Sequence, residues 1–336
     1  MSARFESLDA GTGVFVFPDD PFDGLVAALD MLLDERERRV SSEAAYVSGL
    51  QRLIEEAPDF IDAHAHLAYA WIEQGKPKKA LDASLAGLAR ANRLIPEGFG
   101  GRIAWGHLDN RPYLRAMHGA VLGTLRLHRH KDAAALIDRM LAFNPNDNQG
   151  VRFLLGSELI RCGEAERAKA VIEAECGNYP PYHYELALLH LQAGEWVQAA
   201  TALRRGFFAN AYIAEVLCGT AEPMPLAIWH GSNLAEPETA RDYVSSYGAL
   251  WSRRPDFVAF VRWLFQHSKV LAERAAVLAC REELCWEREF NARSDLVDQL
   301  ECLQATIDDT LSKALVVQQP DRKGQPIWPW MAWLLP

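Results

Sequence analysis

Four times in this chain, 13 residues separate an apolar or small residue from an alanine beyond a turn: Leu67 and Ala80, Ala120 and Ala133, Leu155 and Ala168, Leu186 and Ala199. The same order surrounds each pair. A first helical pattern carries a Leu-small step, a turn follows, and a second helical pattern has a small residue early. Residues 61–96 carry Leu67-Ala68, Trp71, Gly75, Ala80 and a closing Pro96. Residues 150–180 carry Leu155-Gly156, Leu159, Gly163, Ala168, Ile172 and Pro180. Residues 181–211 carry Leu186-Ala187, Gly194, Ala199 and Leu203, without the proline. Residues 114–145 match less fully, with Ala120, Thr124, Ala133, Ile137 and Pro145, and with His128 where a glycine would help. The pattern is that of antiparallel helix pairs. Small side chains are needed where two helices approach closely. Glycine lets the first helix end in a left-handed conformation, and proline ends the second or starts the next.

These spacings resemble the tetratricopeptide repeat, whose period is about 34 residues. The resemblance spans roughly residues 59–215, and residues 21–58 form a further degenerate hairpin. The chain departs from the family pattern in two places. Residues 97–111 are inserted between the first two clear hairpins, and the aromatic near the start of the first helix is replaced by His64, Met117, Arg152 and His183. The resemblance implies an all-α fold, an α-solenoid of tetratricopeptide-like helical hairpins. Such a stack exposes an apolar face at its end, so the helices that follow are expected to form a C-terminal capping region.

The remaining organisation follows from turn formers and apolar periodicity. Residues 1–20 read as an irregular arm, with Phe15-Val-Phe17 extended. Residues 216–238 are rich in Gly, Pro, Ser and Asn and read as a linker. Helices are expected over 239–318, including one from about Lys269 to Phe290 and one from about Ser294 to Val317, capped by Ser294. Residues 319–336 form a tail with Trp328, Trp330 and Trp333.

Composition narrows the function classes. The formal net charge is −10, which disfavours generic nucleic-acid binding, because that needs a basic footprint. The six cysteines include no C-x-x-C pair, so a reducing, cytoplasmic location is expected. No run of about 18 apolar residues is present, so no membrane span is expected. No cofactor or metal site is expected. His64-Ala-His66 lies on a helix, where residues two apart point to different sides, and His128-Arg-His130 has the same spacing. No phosphate-binding loop, nucleophile elbow or zinc-protease motif occurs.

The resemblance implies a protein or peptide partner, held against the first helices of the hairpins. Carried over by alignment, the groove positions are Asp62, Tyr69 and Glu73; Arg115, His118, Leu122 and Arg126; Phe153, Ser157 and Arg161; Tyr184, Leu188 and Gln192. The three arginines suit an acidic peptide or a C-terminal carboxylate, which guanidinium binds through two parallel hydrogen bonds. The competing reading is that they pair with acids of this chain, and that Tyr69, Phe153 and Tyr184 are core. The tail likewise admits burial in its own chain or a partner surface. The alternative to a scaffold is an enzyme using the 105–110 loop, Trp105-Gly-His-Leu-Asp-Asn, with His107 and Asp109 between the repeats and the C-terminal helices. No catalytic residue is assigned in the scaffold reading.

Overall fold

A computed structural model describes residues 3–9 and 11–334, apart from the side chains at 9, 19, 21, 332 and 333. The chain divides into two compact units, residues 1–163 and 164–336. The division falls at Gly163, the turn position of the third predicted hairpin.

The first unit opens with an antiparallel hairpin, β1 (Arg4–Asp9) and β2 (Thr12–Val16). The region read as an irregular arm is therefore a β-hairpin. Its alternating aromatics have partners to reach: Phe15 is fully buried, and its ring lies 5.2 Å from Tyr113. Phe5 bridges Phe15 and Phe99, while Phe17 stacks on Phe22, which meets Phe60 edge-on. Three helix pairs follow: α1 (Asp19–Glu37) and α2 (Glu43–Glu56), α3 (Ile61–Glu73) and α4 (Pro77–Asn92), α5 (Arg111–Arg126) and α6 (His130–Phe143). The unit ends with α7 (Arg152–Cys162).

Close helix approach explains the recurrent small residues. Ala80 and Ala133 are fully buried. At Gly123 an added Cβ would lie 3.1 Å from the Leu81 backbone nitrogen and 3.2 Å from its Cα, so α4 and α5 touch nearly backbone to backbone. The turn position has positive φ in both clear pairs of this unit, at Gly75 (+67°) and His128 (+56°). The turn is thus set by the packing of the helices it joins, and at 128 the chain adopts it without the residue suited to it.

The second unit begins with α8 (Ala165–Glu175), α9 (Pro181–Gln192), α10 (Trp196–Ala209) and α11 (Ile213–Leu217). Residues 218–232 contain no helix or strand. Then come α12 (Pro237–Tyr247), α13 (Ala249–Ser252), α14 (Pro255–Gln266), α15 (Ser268–Trp286), α16 (Phe290–Ala305) and α17 (Asp309–Leu315). The single helix expected over 294–317 is two helices. Glu289, not Ser294, caps α16, accepting from the Ala292 N–H. The break at 306–308 is held from α10: Arg205 donates to the Ile307 carbonyl, and Arg204 to the Asp308 carbonyl at 2.7 Å. Freed carbonyls that find arginine donors no longer need to continue a helix.

The tail does not leave Trp330 for a partner. Its ring is fully buried, 4.8 Å from Trp196, 4.6 Å from Phe260 and 5.2 Å from Trp263, with half-buried Trp328 stacked on it at 4.9 Å. The Trp333 side chain lies outside the described residues. No helix among the described residues is long and apolar enough to cross a membrane.

Candidate functional site

The predicted groove positions of the first two clear hairpins fall on one face of α3 and α5, which pack against each other. Asp62, His66, Tyr69 and Glu73 succeed one another at helical spacing along α3, as Arg111, Arg115, His118, Leu122 and Arg126 do along α5. The face is polar and largely satisfied from within the chain. Arg115 binds Asp62 bidentately, Nε to Oδ1 at 2.9 Å and Nη2 to Oδ2 at 2.6 Å. The Tyr69 hydroxyl lies 3.2 Å from the Arg115 carbonyl and 3.0 Å from His118 Nδ1, within hydrogen-bond distance of both. Gln149, in the loop before α7, donates to the same hydroxyl at 3.4 Å. Burial raises the Tyr69 phenol above its ordinary range and lowers the His66 and His118 pKa values, so the tyrosine stays protonated and both imidazoles neutral. Trp105 lies beneath two cations, with the Arg111 guanidinium 5.2 Å and that of Arg115 6.0 Å from its ring centre.

The other predicted positions divide. Glu73 is exposed and pairs with Arg36, which also holds Glu43. Arg126 is exposed and makes no ion pair with a described residue. Arg161 binds the fully buried Glu158 at 2.8 Å, and His130 holds the other oxygen of that carboxylate at 2.7 Å. Phe153 is half-buried. In the second unit Gln192 is exposed, but Tyr184 is fully buried and packed against Phe207 and Tyr243. A side chain without accessible surface cannot meet a partner, so Tyr184 is a core residue. Helical spacing alone would have added His66, one turn from both Asp62 and Tyr69. Gln149 and Trp105 come from loops, where no periodicity marks them.

The 105–110 loop serves a structural purpose. Asn110, fully buried, accepts from the Phe15 N–H at 3.0 Å and donates to the Gly13 and Ala104 carbonyls at 3.1 Å each. One amide thereby ties the inserted connection to the β-hairpin. His107 is half-buried and Asp109 exposed, and neither side chain hydrogen-bonds to a described residue. His64 Nε2 bonds to the Pro58 carbonyl, while His66 faces Asp62 at 3.8 Å, so the two turn to different sides. Among the described residues no cluster of His, Cys, Asp or Glu has metal-binding geometry.

No protein-family model matches the chain, and no curated protein does. Among solved structures, a thermophilic tetratricopeptide-repeat protein of Thermus thermophilus, TTC0263, is similar at 17% identity, covering 55% of this chain and 90% of its own, with a TM-score of 0.35. PilF of Pseudomonas aeruginosa is similar at 19% identity, covering 76% of this chain and 98% of its own, with a TM-score of 0.42. Neither likeness is close enough to transfer a residue or a role. By its own helix pairs, small contact residues and left-handed turns, the chain is an all-α repeat protein of tetratricopeptide-like architecture, with divergent repeats.

Proposed function

We propose that this protein is an interaction scaffold that holds a polypeptide segment against the α3 and α5 face of the first unit. What supports this reading is the makeup of that face. Two helices packed side by side present a continuous row of polar and aromatic groups, Tyr69, His66, His118 and Trp105 among them, whose ionisable members other than Arg111 and Arg126 are neutral or paired. Such a surface offers hydrogen bonds and flat apolar contacts with little desolvation of net charge. We further propose that the segment is acidic. Arg126 supplies an uncompensated positive charge at the end of the row. The Asp62–Arg115 pair has the two-pronged geometry that a ligand carboxylate would adopt in place of Asp62.

The test places a photo-crosslinking amino acid at Leu122 and captures partners from the native extract. The control is the surface variant Arg126→Glu, which leaves the core intact. One protein crosslinked at 122 in the wild type and lost in the variant is the expected result. A partner retained by the folded variant, or crosslinked only from other surfaces, overturns the proposal.

A further inference from the structure

Helix α15 has one covered face and one open face. On the covered face Val277, Cys280 and Leu284 pack in a core with Leu300, Ile307 and Phe208. The open face runs through Ala279, Glu282, Glu283 and Trp286, a turn apart in succession. Together with Glu287 and with Leu296 of α16 it lines an open groove of about 610 Å³. Trp286 is 69% exposed, and Phe290, four positions on at the start of α16, is 81% exposed. Among the described residues these two are the only exposed side chains of the Trp, Phe and Tyr types. One exposed apolar residue is ordinary, but two large aromatics beside an open groove form a patch of the kind that marks an interaction surface.

Charge decides what the patch can receive. Residues 282–301 hold seven carboxylates and two arginines. One of those arginines is engaged elsewhere: Arg293 donates to the Leu284 and Glu287 carbonyls and lies 5.4 Å from the Trp229 ring centre. Glu282 and Glu283 are exposed and make no ion pair with a described residue. Glu287 accepts only from the Arg288 and Glu289 N–H groups. Nucleic acid and anionic membrane surfaces are repelled by such a rim, whereas lysine and arginine side chains are attracted to it, and a cation can also rest on the exposed indole. We propose that the groove receives a basic amphipathic segment of another protein. Its apolar side chains lie against Trp286 and Leu296, and its basic side chains lie over Glu282, Glu283 and Glu287. This surface belongs to the second unit and does not depend on the reading of the α3 and α5 face.

The test is fluorescence anisotropy of labelled peptides titrated with the full chain. The probe is a peptide of about 14 residues built of leucine and lysine, with the leucines on one helical face. Two further peptides stand beside it: serine in place of leucine keeps the charge, and glutamate in place of lysine keeps the apolar face. The leucine–lysine peptide is expected to bind at least about tenfold more tightly than either. Trp286→Ser should weaken it about tenfold and leave the melting temperature unchanged, because the side chain belongs to no core. Glu282→Lys/Glu283→Lys should weaken it at least as much. The same charge change at two exposed positions of α2, Glu55→Lys/Glu56→Lys, should weaken it by less than about threefold, since distant exposed charges are screened. Equal weakening by the two charge variants reduces the attraction to net charge alone and overturns the proposal, as does undiminished binding to Trp286→Ser. A wild type that sediments as a dimer while Trp286→Ser sediments as a monomer puts a second copy of the chain on this face and overturns it as well.

Discussion

Replacing Asn110 by alanine should release the β-hairpin while leaving the helices folded. The side chain makes three buried hydrogen bonds, of 3.0, 3.1 and 3.1 Å, that join residues 13 and 15 to the connection at 104–110. Each contributes about 1 kcal/mol net, and stranding the buried Phe15 N–H costs about 1–3 kcal/mol more. The local loss is therefore about 4–6 kcal/mol. A two-stranded hairpin does not persist alone, so the loss should appear as detachment. Hydrogen exchange resolved by residue is the assay. Protection of the Phe15 and Gly13 amides should fall by about two orders of magnitude or more, while amides of α9 and α10 exchange as before. Undiminished protection at Phe15, or an equal fall along the whole chain, would refute the assignment of Asn110 as the tie. Asn110→Asp keeps the acceptor for Phe15 but turns an anionic oxygen toward two carbonyls. It should therefore be as damaging at neutral pH and partly recover in acid, where the carboxyl can donate again.

Other consequences are checked more briefly. His128→Gly should stabilise the protein by about 0.5–1 kcal/mol in chemical denaturation, because the turn holds this residue at φ +56°, where glycine is not strained. Burial lowers the His183 pKa from 6.5 to about 4, with the nearby Arg205 charge adding to the shift. The neutral form is thus the folded one, and its contribution, roughly 3 kcal/mol, is complete above pH 6.5 and lost as pH falls toward about 4. His64, His66 and His118 shift in the same direction, so the melting temperature should drop steadily over this range, and His183→Gln should flatten the drop. Asp62→Asn removes the internal competitor for Arg115 and should tighten binding of an acidic peptide severalfold in fluorescence anisotropy; weaker binding would count against a ligand carboxylate at that position.

The repeat core was legible because its determinants are local. The 13-residue spacing, the alanines and the turn positions describe contacts between helices that follow one another, and the helices of 61–143 and 181–209 lie where that spacing puts them. What escaped depends on distant partners. Nothing in residues 4–16 says that Phe99, Arg102 and Asn110 will come to meet a hairpin, since those residues belong to an insertion with no period of its own. Near Thr306 the local mark of the break is Asp308, which caps α17 by accepting from the Thr310 N–H, whereas the groups that hold the Ile307 and Asp308 carbonyls are arginines 204 and 205, about a hundred residues earlier in the chain.

The candidate site was legible in position but not in charge. Helical spacing identifies the exposed edge of α3 and α5, because a periodic face follows from the sequence once the helix is known. Whether an arginine on that face is available depends on which acid comes to rest beside it, and that acid belongs to another element. Helical spacing puts Arg115 and Asp62 in one groove and leaves open whether the arginine meets an acid of this chain, and the packing of α3 on α5 makes them one bidentate pair. Arg161 meets Glu158 one turn back on its own helix, where the carboxylate is buried and shared with His130. Of the three arginines, Arg126 alone keeps its charge for a partner. Arg274 and Arg281 of the second unit lie in α15, which also carries Glu273, Glu282 and Glu283. Of those glutamates, Glu282 and Glu283 project to solvent, while the arginines turn inward against aromatic rings. Glu273 also turns inward, but both of its carboxylate oxygens are taken by Arg204 of α10, and that division of partners is visible only once the inward face is known.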